Sequence, residues 1–417
     1  MIPLAWSEVE ELGLGELQGG GEVTGIKGDS REVGPGDLFV ALNAGVGFVD
    51  DALERGAATL VPGDQHAALA ALASLVRSKS DARVVAVVGS AGKTTTKDIL
   101  GALCAPHVPT IWAERSLNNE IGLPLTVCRL EPETRVLVTE MGMRGLGQVA
   151  ALCAIARPDV VVVPHIGPEH LELLGTVERV AEANAEAIAA LPAGGTAVVP
   201  AHADVLEPYL VRTDITIRRV DTYAMRVRRD VTRFTVDEET VELVLPFTQR
   251  HLALNTLAAL HAYVALGLSL DRVAEGVAGI RLSPWRGEEI ALPDGGFVIN
   301  DAYNANPDSM YAALVHLADR AGDRRRVAIL GEMAELGSQS DLYHGQIGHL
   351  AADLGIDVIG VGEAARAYTP AVWVASAADV AEAARSFLRP GDAVLVKASR
   401  AVGLEGMADE IANFARA

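Results

Sequence analysis

Lysine is nearly missing from this 417-residue chain: Lys27, Lys79, Lys93, Lys97 and Lys397 are all there are, against thirty arginines. Genome composition alone can produce such a bias, so each surviving lysine marks a place to ask whether chemistry requires an ammonium group. Positive charge is lacking too. The formal net charge is −20, which argues against nucleic acid as a partner, since binding a phosphate backbone needs clustered Lys and Arg. An acidic chain still binds small anions where backbone N–H groups and a few cations focus the field. Cysteine is scarce, and Cys104, Cys128 and Cys153 have neither metal-like nor disulfide-like spacing. Reduced, mostly buried thiols in a cytoplasmic protein are expected. No uninterrupted apolar run reaches about 18 residues, so no membrane insertion is expected. The opening MIPLAWSEVEELGLG lacks the basic-then-apolar order of a signal peptide.

What is present begins with RVVAVVGSAGKTTTKDIL, residues 83–100. A β-branched apolar run meets Gly89, Ser90, Ala91, Gly92, Lys93, Thr94 and Thr95, then a helix-forming segment, the strand–loop–helix order of a phosphate-binding loop. The spacing is G-x-x-G-K-T, shorter than the usual G-x-x-x-x-G-K-[ST], because Val87 stands where a glycine would be. Gly89 and Gly92 let backbone N–H groups turn towards phosphate oxygens, and the helix presents its positive end. Lys93 is expected at the β- and γ-phosphates and Thr94 at Mg²⁺. A glycine-rich turn alone is often only a turn; Lys-Thr-Thr after a buried strand favours nucleotide. No Asn-Lys pair occurs for guanine recognition.

Half the residues are hydrophobic and 22% are charged, enough for ample cores, and the length suggests two or three domains. Apolar strands near 83–88, 135–139, 159–163 and 196–199 alternate with helices, and a second series runs near 297–300, 326–330, 357–361 and 393–396. Such alternation predicts parallel sheets covered by helices. The fold class expected is α/β in three domains. They are a small N-terminal α/β domain (1–81), a central P-loop ATPase domain with a mostly parallel sheet (82–282) and a C-terminal Rossmann-like domain (283–417).

Polar residues cluster where those strands end, at the edge where open α/β sheets bind ligands. Glu140 follows the strand at 135–139, and His170 lies beyond that at 159–163. Singly, each reads as a solvated or satisfied residue; together they make a plausible metal pair, a hard carboxylate and an imidazole. His251 and Asn255 stand one helical turn apart. Asp301, Tyr303, Asn304, Asn306 and Asp308 crowd the stretch NDAYNANPDSM, as in a binding loop or a plain Asn-Pro turn. Lys397, Ser399 and Arg400 follow the last strand, and LGEMAELG adds Glu332 and Glu335.

The short phosphate loop resembles that of the Mur ligases, the ATP-dependent amide-forming enzymes of peptidoglycan synthesis. So do NNEIGLPLTV (118–127), HIGPEHLELLG (165–175), DAYNANPDSM (301–310), LGEMAELG (330–337), VLVKASR (394–400) and DSREVGPGDLFVAL (29–42), in order along nearly the whole chain. They are most like the member that adds D-Ala-D-Ala to UDP-N-acetylmuramoyl-tripeptide. The resemblance implies ATP and Mg²⁺ as cofactors, those two substrates as partners, an acyl-phosphate intermediate, and a monomer. It places Ser30 and Arg31 at the UDP end, and Lys93, Thr94, Glu140 and His170 at phosphate and metal. His251 and Asn255 would lie near adenine, Arg286 at the γ-phosphate and Asp301 at the ribose. Asn118, Asn119, Asn304, Asn306, Lys397, Ser399 and Arg400 are implied at the peptide and dipeptide substrate.

The chain departs from the family at several points. Where many members carry a carbamylated lysine, the position is Asn184; it falls on the apolar stripe of its helix, between Val180 and Ile188, and is expected to face the edge bearing Glu140 and His170. Water or Glu186 is expected to replace the missing ligand. Pro164-His165 replaces a usual Thr-Asn, NAGVGF stands for a longer Asp-Gly-His stretch, and AVVPAHAD replaces a usual Asn-Ala-Asp-Asp. A sister ligase adding an amino acid to a shorter peptide or to folate, and a nucleotide-binding relative without catalysis, remain the alternatives.

Overall fold

The computed structural model describes residues 1–228 and 231–416. Four sheets follow one another along the chain. The first runs Gly15–Gln18, Ala58–Pro62, Asp37–Val40, Gly25–Lys27; the last three strands are parallel and Gly15–Gln18 is antiparallel at one edge. The second has six parallel strands in the order Thr216–Val220, Thr196–Pro200, Val160–Val162, Arg83–Val87, Val136–Glu140, Thr110–Trp112. Its middle strand shows why the sequence reads as a continuous apolar run: both faces are covered. Val84, Ala86 and Val88 pack with Leu123, Val149 and Ile188 on one side. Val85 and Val87 pack with Leu100 and Leu257 on the other, under the helices Lys93–Cys104 and Arg250–Ala265.

A three-stranded antiparallel sheet (Met225–Val227, Thr232–Val236, Glu239–Leu243) follows, which the sequence pattern did not announce. Its strands are short, and their outward positions carry charged pairs such as Arg233–Glu242. The last sheet runs Glu288–Ala291, Phe297–Asn300, Ala393–Lys397, Arg326–Leu330, Ile356–Val361, Val372–Val374, parallel except for the antiparallel edge strand Glu288–Ala291. Observed strands differ from the expected spans by a residue or two at their ends. Two of those shifts matter. Glu140 pairs with Val87 and is the last residue of its strand, and Lys397 pairs with Leu330 and does likewise. Both side chains are therefore held by a ladder, not by a loop.

The crossing from central to C-terminal sheet is fastened to the phosphate-loop helix. Asp98 Oδ2 accepts from the Ser283 N–H at 3.0 Å and from its hydroxyl at 2.8 Å. Asp98 in turn pairs with the wholly buried Lys97 at 2.6 Å. Lys97 also donates to the carbonyls of Ala113 and Arg115, fixing the turn that carries Ser116.

Candidate active site

The loop after Arg83–Val87 takes its shape from contacts that only glycine permits at two places. Gly89 has φ +117°, and a Cβ there would come 2.6 Å from the His165 carbonyl oxygen. Gly92 has φ +80°, and a Cβ there would meet Asn255 Oδ1 at 2.6 Å. Between them, the Ser90 N–H donates to the His165 carbonyl at 2.9 Å, and the Ser90 hydroxyl donates to the Gly167 carbonyl at 3.0 Å. Helix Lys93–Cys104 starts at once, so its unpaired N–H groups and dipole point into the space above the loop. The Lys93 ammonium donates to the Gly89 carbonyl and lies 3.5 Å from Glu169 Oε2.

Asn184 is fully buried, as its place on the stripe predicts, but its oxygen is already engaged. Oδ1 accepts the Gly89 N–H at 2.6 Å and Nδ2 donates to the Val180 carbonyl at 2.8 Å. The side chain braces the loop from behind and does not stand in for a carbamate. Nor is Glu186 a replacement ligand. Its carboxylate accepts the N–H groups of Gly147 and Ala150 at 2.5 and 3.0 Å, capping the helix Gln148–Ala156.

In front of the loop stand three donors of different kinds. Glu140 is 1% exposed; its Oε1 accepts from Asn118 Nδ2 at 2.7 Å, while Oε2 is buried without a hydrogen-bond partner among the described residues. A buried carboxylate oxygen left bare is costly, and a cation is what would satisfy it. The Thr94 hydroxyl lies 3.2 Å from Ser116 Oγ and accepts from Arg286 Nη2 at 2.8 Å. His170, in left-handed backbone (φ +53°), bonds through Nδ1 to Glu335, and its Nε2 lies 3.7 Å from Glu169 Oε1. Hydroxyl, carboxylate and imidazole together suit a hard divalent cation beside phosphate.

The C-terminal sheet supplies the opposite wall. The Arg286 guanidinium stacks 4.0 Å over the Tyr303 ring. Lys397 pairs with Asp301 at 2.6 Å and donates to the Asn304 carbonyl at 3.0 Å. Asn306 caps the helix Pro307–Ala321 through Oδ1, which accepts from the Ser309 N–H at 2.9 Å, and its Nδ2 reaches the Ser90 carbonyl at 3.3 Å. Asp308 meets His165 Nε2 at 2.8 Å. Burial pushes the His251 imidazole down to about 4, against a partial pull upward from Asp301, so the ring is neutral at pH 7. A neutral ring beside Asn255 suits a nucleobase better than a phosphate.

All these walls enclose one cavity of about 740 Å³. From the loop, Ser90, Ala91, Gly92, Lys93, Thr94 and Thr95 line it; from the central sheet and helices, Asn118, Asn119, Glu140, His170, His251 and Asn255 do. Arg286, Asp301, Asn304, Asn306 and Lys397 line it from the C-terminal side. Gly89, although part of the loop, does not line the cavity. Ser30, Arg31, Ser399 and Arg400 lie elsewhere. Ser30 is buried in the first sheet unit, and the exposed Arg31 pairs with Asp29, whose carboxyl the guanidinium pulls down to about 2. The Ser399 hydroxyl accepts from the Ala334 N–H at 2.8 Å, and Arg400 lies 5.5 Å over Tyr303. Sequence reasoning missed Ser116, Arg144 and Glu169 as lining residues. Only Glu169 had a signal, its place beside His170 in GPEHLE.

The Mur ligase middle-domain family model matches residues 87–263, and the model for the Mur ligase glutamate ligase domain matches residues 285–400. The chain is 33% identical to the UDP-N-acetylmuramoyl-tripeptide–D-alanyl-D-alanine ligase of Escherichia coli, covering 90% of this chain and 89% of that one. It is 29% identical to the ligase of that name from Bacillus subtilis, over 93% of each. Its backbone superposes on MurF from Acinetobacter baumannii with a TM-score of 0.87 at 25% identity, covering 100% of this chain and 99% of that one. On MurF from Thermotoga maritima in complex with ADP the TM-score is 0.82 at 27% identity, over 94% and 98%.

Proposed function

The chain belongs to the Mur ligase family, and we propose that it joins D-alanyl-D-alanine to UDP-N-acetylmuramoyl-tripeptide, converting ATP to ADP and phosphate in the cytoplasm. One observation carries the reading: the phosphate loop with Lys93, Arg286 in contact with Thr94, and the C-terminal Lys397 all line a single cavity. Phosphate chemistry and a peptide-binding wall would then share one cleft. In this reading residues 82–282 hold the nucleotide, 283–417 the dipeptide and 1–81 the uridine end, and the enzyme works as a monomer.

A carboxylate is a poor acyl donor. Transfer of the γ-phosphoryl group to the tripeptide's terminal carboxylate makes an acyl phosphate and releases ADP. The dipeptide amine then attacks the acyl carbon, and the tetrahedral intermediate expels inorganic phosphate as the amide forms. Lys93 and Arg286 would stabilise charge on the transferring group. Arg286 must leave the Thr94 hydroxyl to do so, and its stacking on Tyr303 limits where it can go. Thr94, Glu140 and His170 would hold Mg²⁺, which would neutralise phosphate charge when bound. His251 and Asn255 would flank adenine, Asp301 the ribose. Asn118 positions the Glu140 carboxylate, and Asn119, Asn304, Asn306, Lys397, Ser399 and Arg400 would shape the peptide end. Water must be excluded or the acyl phosphate hydrolyses, and closure of the two larger domains is the means.

Phosphate release with a panel of UDP-muramoyl peptides tests this. Turnover should need ATP, Mg²⁺, the UDP-tripeptide and D-Ala-D-Ala together. ATP consumed equally without any peptide would sink the ligase reading, and a preference for a shorter peptide with a single amino acid would move the chain to a sister activity.

A further inference from the structure

Glu335 has no part in the reading above, yet it ties the metal histidine to the opposite domain. It lies beyond strand Arg326–Leu330 of the C-terminal sheet, in left-handed backbone at φ +64°. Its Oε2 accepts from His170 Nδ1, and its Oε1 lies 3.1 Å from Arg144 Nη2; both partners belong to the central unit. The backbone contributes as well. The Glu335 carbonyl accepts the Glu172 N–H at 3.0 Å, and Gln339 Nε2 donates to the Gly175 carbonyl at 3.4 Å.

A carboxylate can only accept, so the imidazole nitrogen facing it must carry the proton. In the neutral ring, that leaves the lone pair on Nε2, the nitrogen turned towards Glu169 and the cavity. Carboxylates bound to the far nitrogen of a metal-ligating histidine fix its tautomer and ring orientation in this way. What differs here is the carboxylate's address: it rides on another domain. We infer that Glu335 is a positioning residue that orients His170 for cation binding only when the C-terminal domain is closed against the central one. This rests on the nucleotide–metal site of the proposed function.

The test uses the full-length protein with ADP and Mn²⁺ as a paramagnetic probe, titrated by electron paramagnetic resonance, and compares wild type with E335A and E335Q. The amide of E335Q still accepts from Nδ1–H, whereas E335A offers nothing. E335A should bind Mn²⁺ in the presence of saturating ADP about 10- to 100-fold more weakly, the usual cost of losing such a partner. E335Q should stay within about threefold of wild type on the same reasoning. Affinity for ADP without divalent cation should be unchanged in both. Small-angle scattering should show the compaction produced by ADP and Mn²⁺ in wild type and lost in E335A. Equal Mn²⁺ affinity in E335A and wild type, or damage in E335Q as large as in E335A, overturns the inference while leaving the ligase reading standing. Absence of any ADP-dependent Mn²⁺ binding in wild type would remove the cation site itself, and the inference with it.

Discussion

The phosphate loop and the turn at Asp29–Glu32 are both assigned to substrate, but they are held in opposite ways. At the loop, Asn184, Asn255, Asn306 and His165, from four separate stretches of chain, touch backbone between Gly89 and Gly92. At the turn, Asp29 bonds the N–H and guanidinium of Arg31 two residues away, and Arg31 is otherwise exposed. The first surface is shaped before any ligand arrives. The second is a self-contained turn whose charges await one. Groups that must meet a charge developing in a transition state gain from being fixed beforehand; groups that recognise a distant handle need less.

The sharpest way to break this contrast is at Lys97, which supports the loop's surroundings from outside the cavity. K97M removes one half of a buried ion pair and strands Asp98, so a loss of about 3–5 kcal/mol in denaturant unfolding is expected. A loss below about 1 kcal/mol would put Lys97 among the inconsequential surface ions. Lys93, four residues earlier, should behave in the reverse manner. K93A should lower turnover at least about 10²-fold with a smaller loss of stability than K97M, because Lys93, beside the Gly89 carbonyl and Glu169, lines the cavity and not the core. Near-normal turnover would remove its role.

Asn184 sits between those extremes. N184A leaves the Gly89 N–H buried and unpaired, which costs about 1–3 kcal/mol. Since the position cannot be carbamylated, turnover should be indifferent to added bicarbonate in CO₂-depleted buffer across a Mg²⁺ titration; reproducible activation would contradict the account. A smaller effect concerns pH. The His251 imidazole is depressed to about 4 in the folded protein, against about 6.5 when unfolded. The unfolded chain therefore takes up the proton first, so stability is full above about pH 6.5 and falls as acid approaches pH 4. H251Q should flatten that part of the stability profile; an unchanged profile would place the ring in water. Least affected should be R31A. Its melting temperature should equal wild type, with any change confined to the KM for the UDP-substrate. A drop in stability would show that the turn does not fold by itself.

The loop and the strand ends were legible in the sequence because the information is consecutive: an apolar run, two glycines, Lys-Thr-Thr. Glu140, Asp301 and Lys397 were singled out by the same rule, that ligand groups sit where parallel strands end, and all three line the cavity. Residues whose roles depend on contacts far along the chain were not legible. Asn184 reads inward from its helical stripe, yet nothing local says that its oxygen meets Gly89, 95 residues away. Lys97 is one of five lysines whose scarcity raises the question of chemistry; burial with Asp98 and two carbonyls gives it a structural place. The antiparallel sheet at 225–243 escaped because its strands are short and half-polar, too weak a period-2 signal beside long parallel strands.

The fastening of Ser283 to Asp98 ties the chain entering the C-terminal sheet to the helix that begins at Lys93. In a rigid rotation, displacement grows with distance from the axis. Any swing of the C-terminal domain about that tie would move groups near Ser283 little and groups far from it most. Arg286, three residues along from Ser283, would then shift less than lining groups farther from the tie.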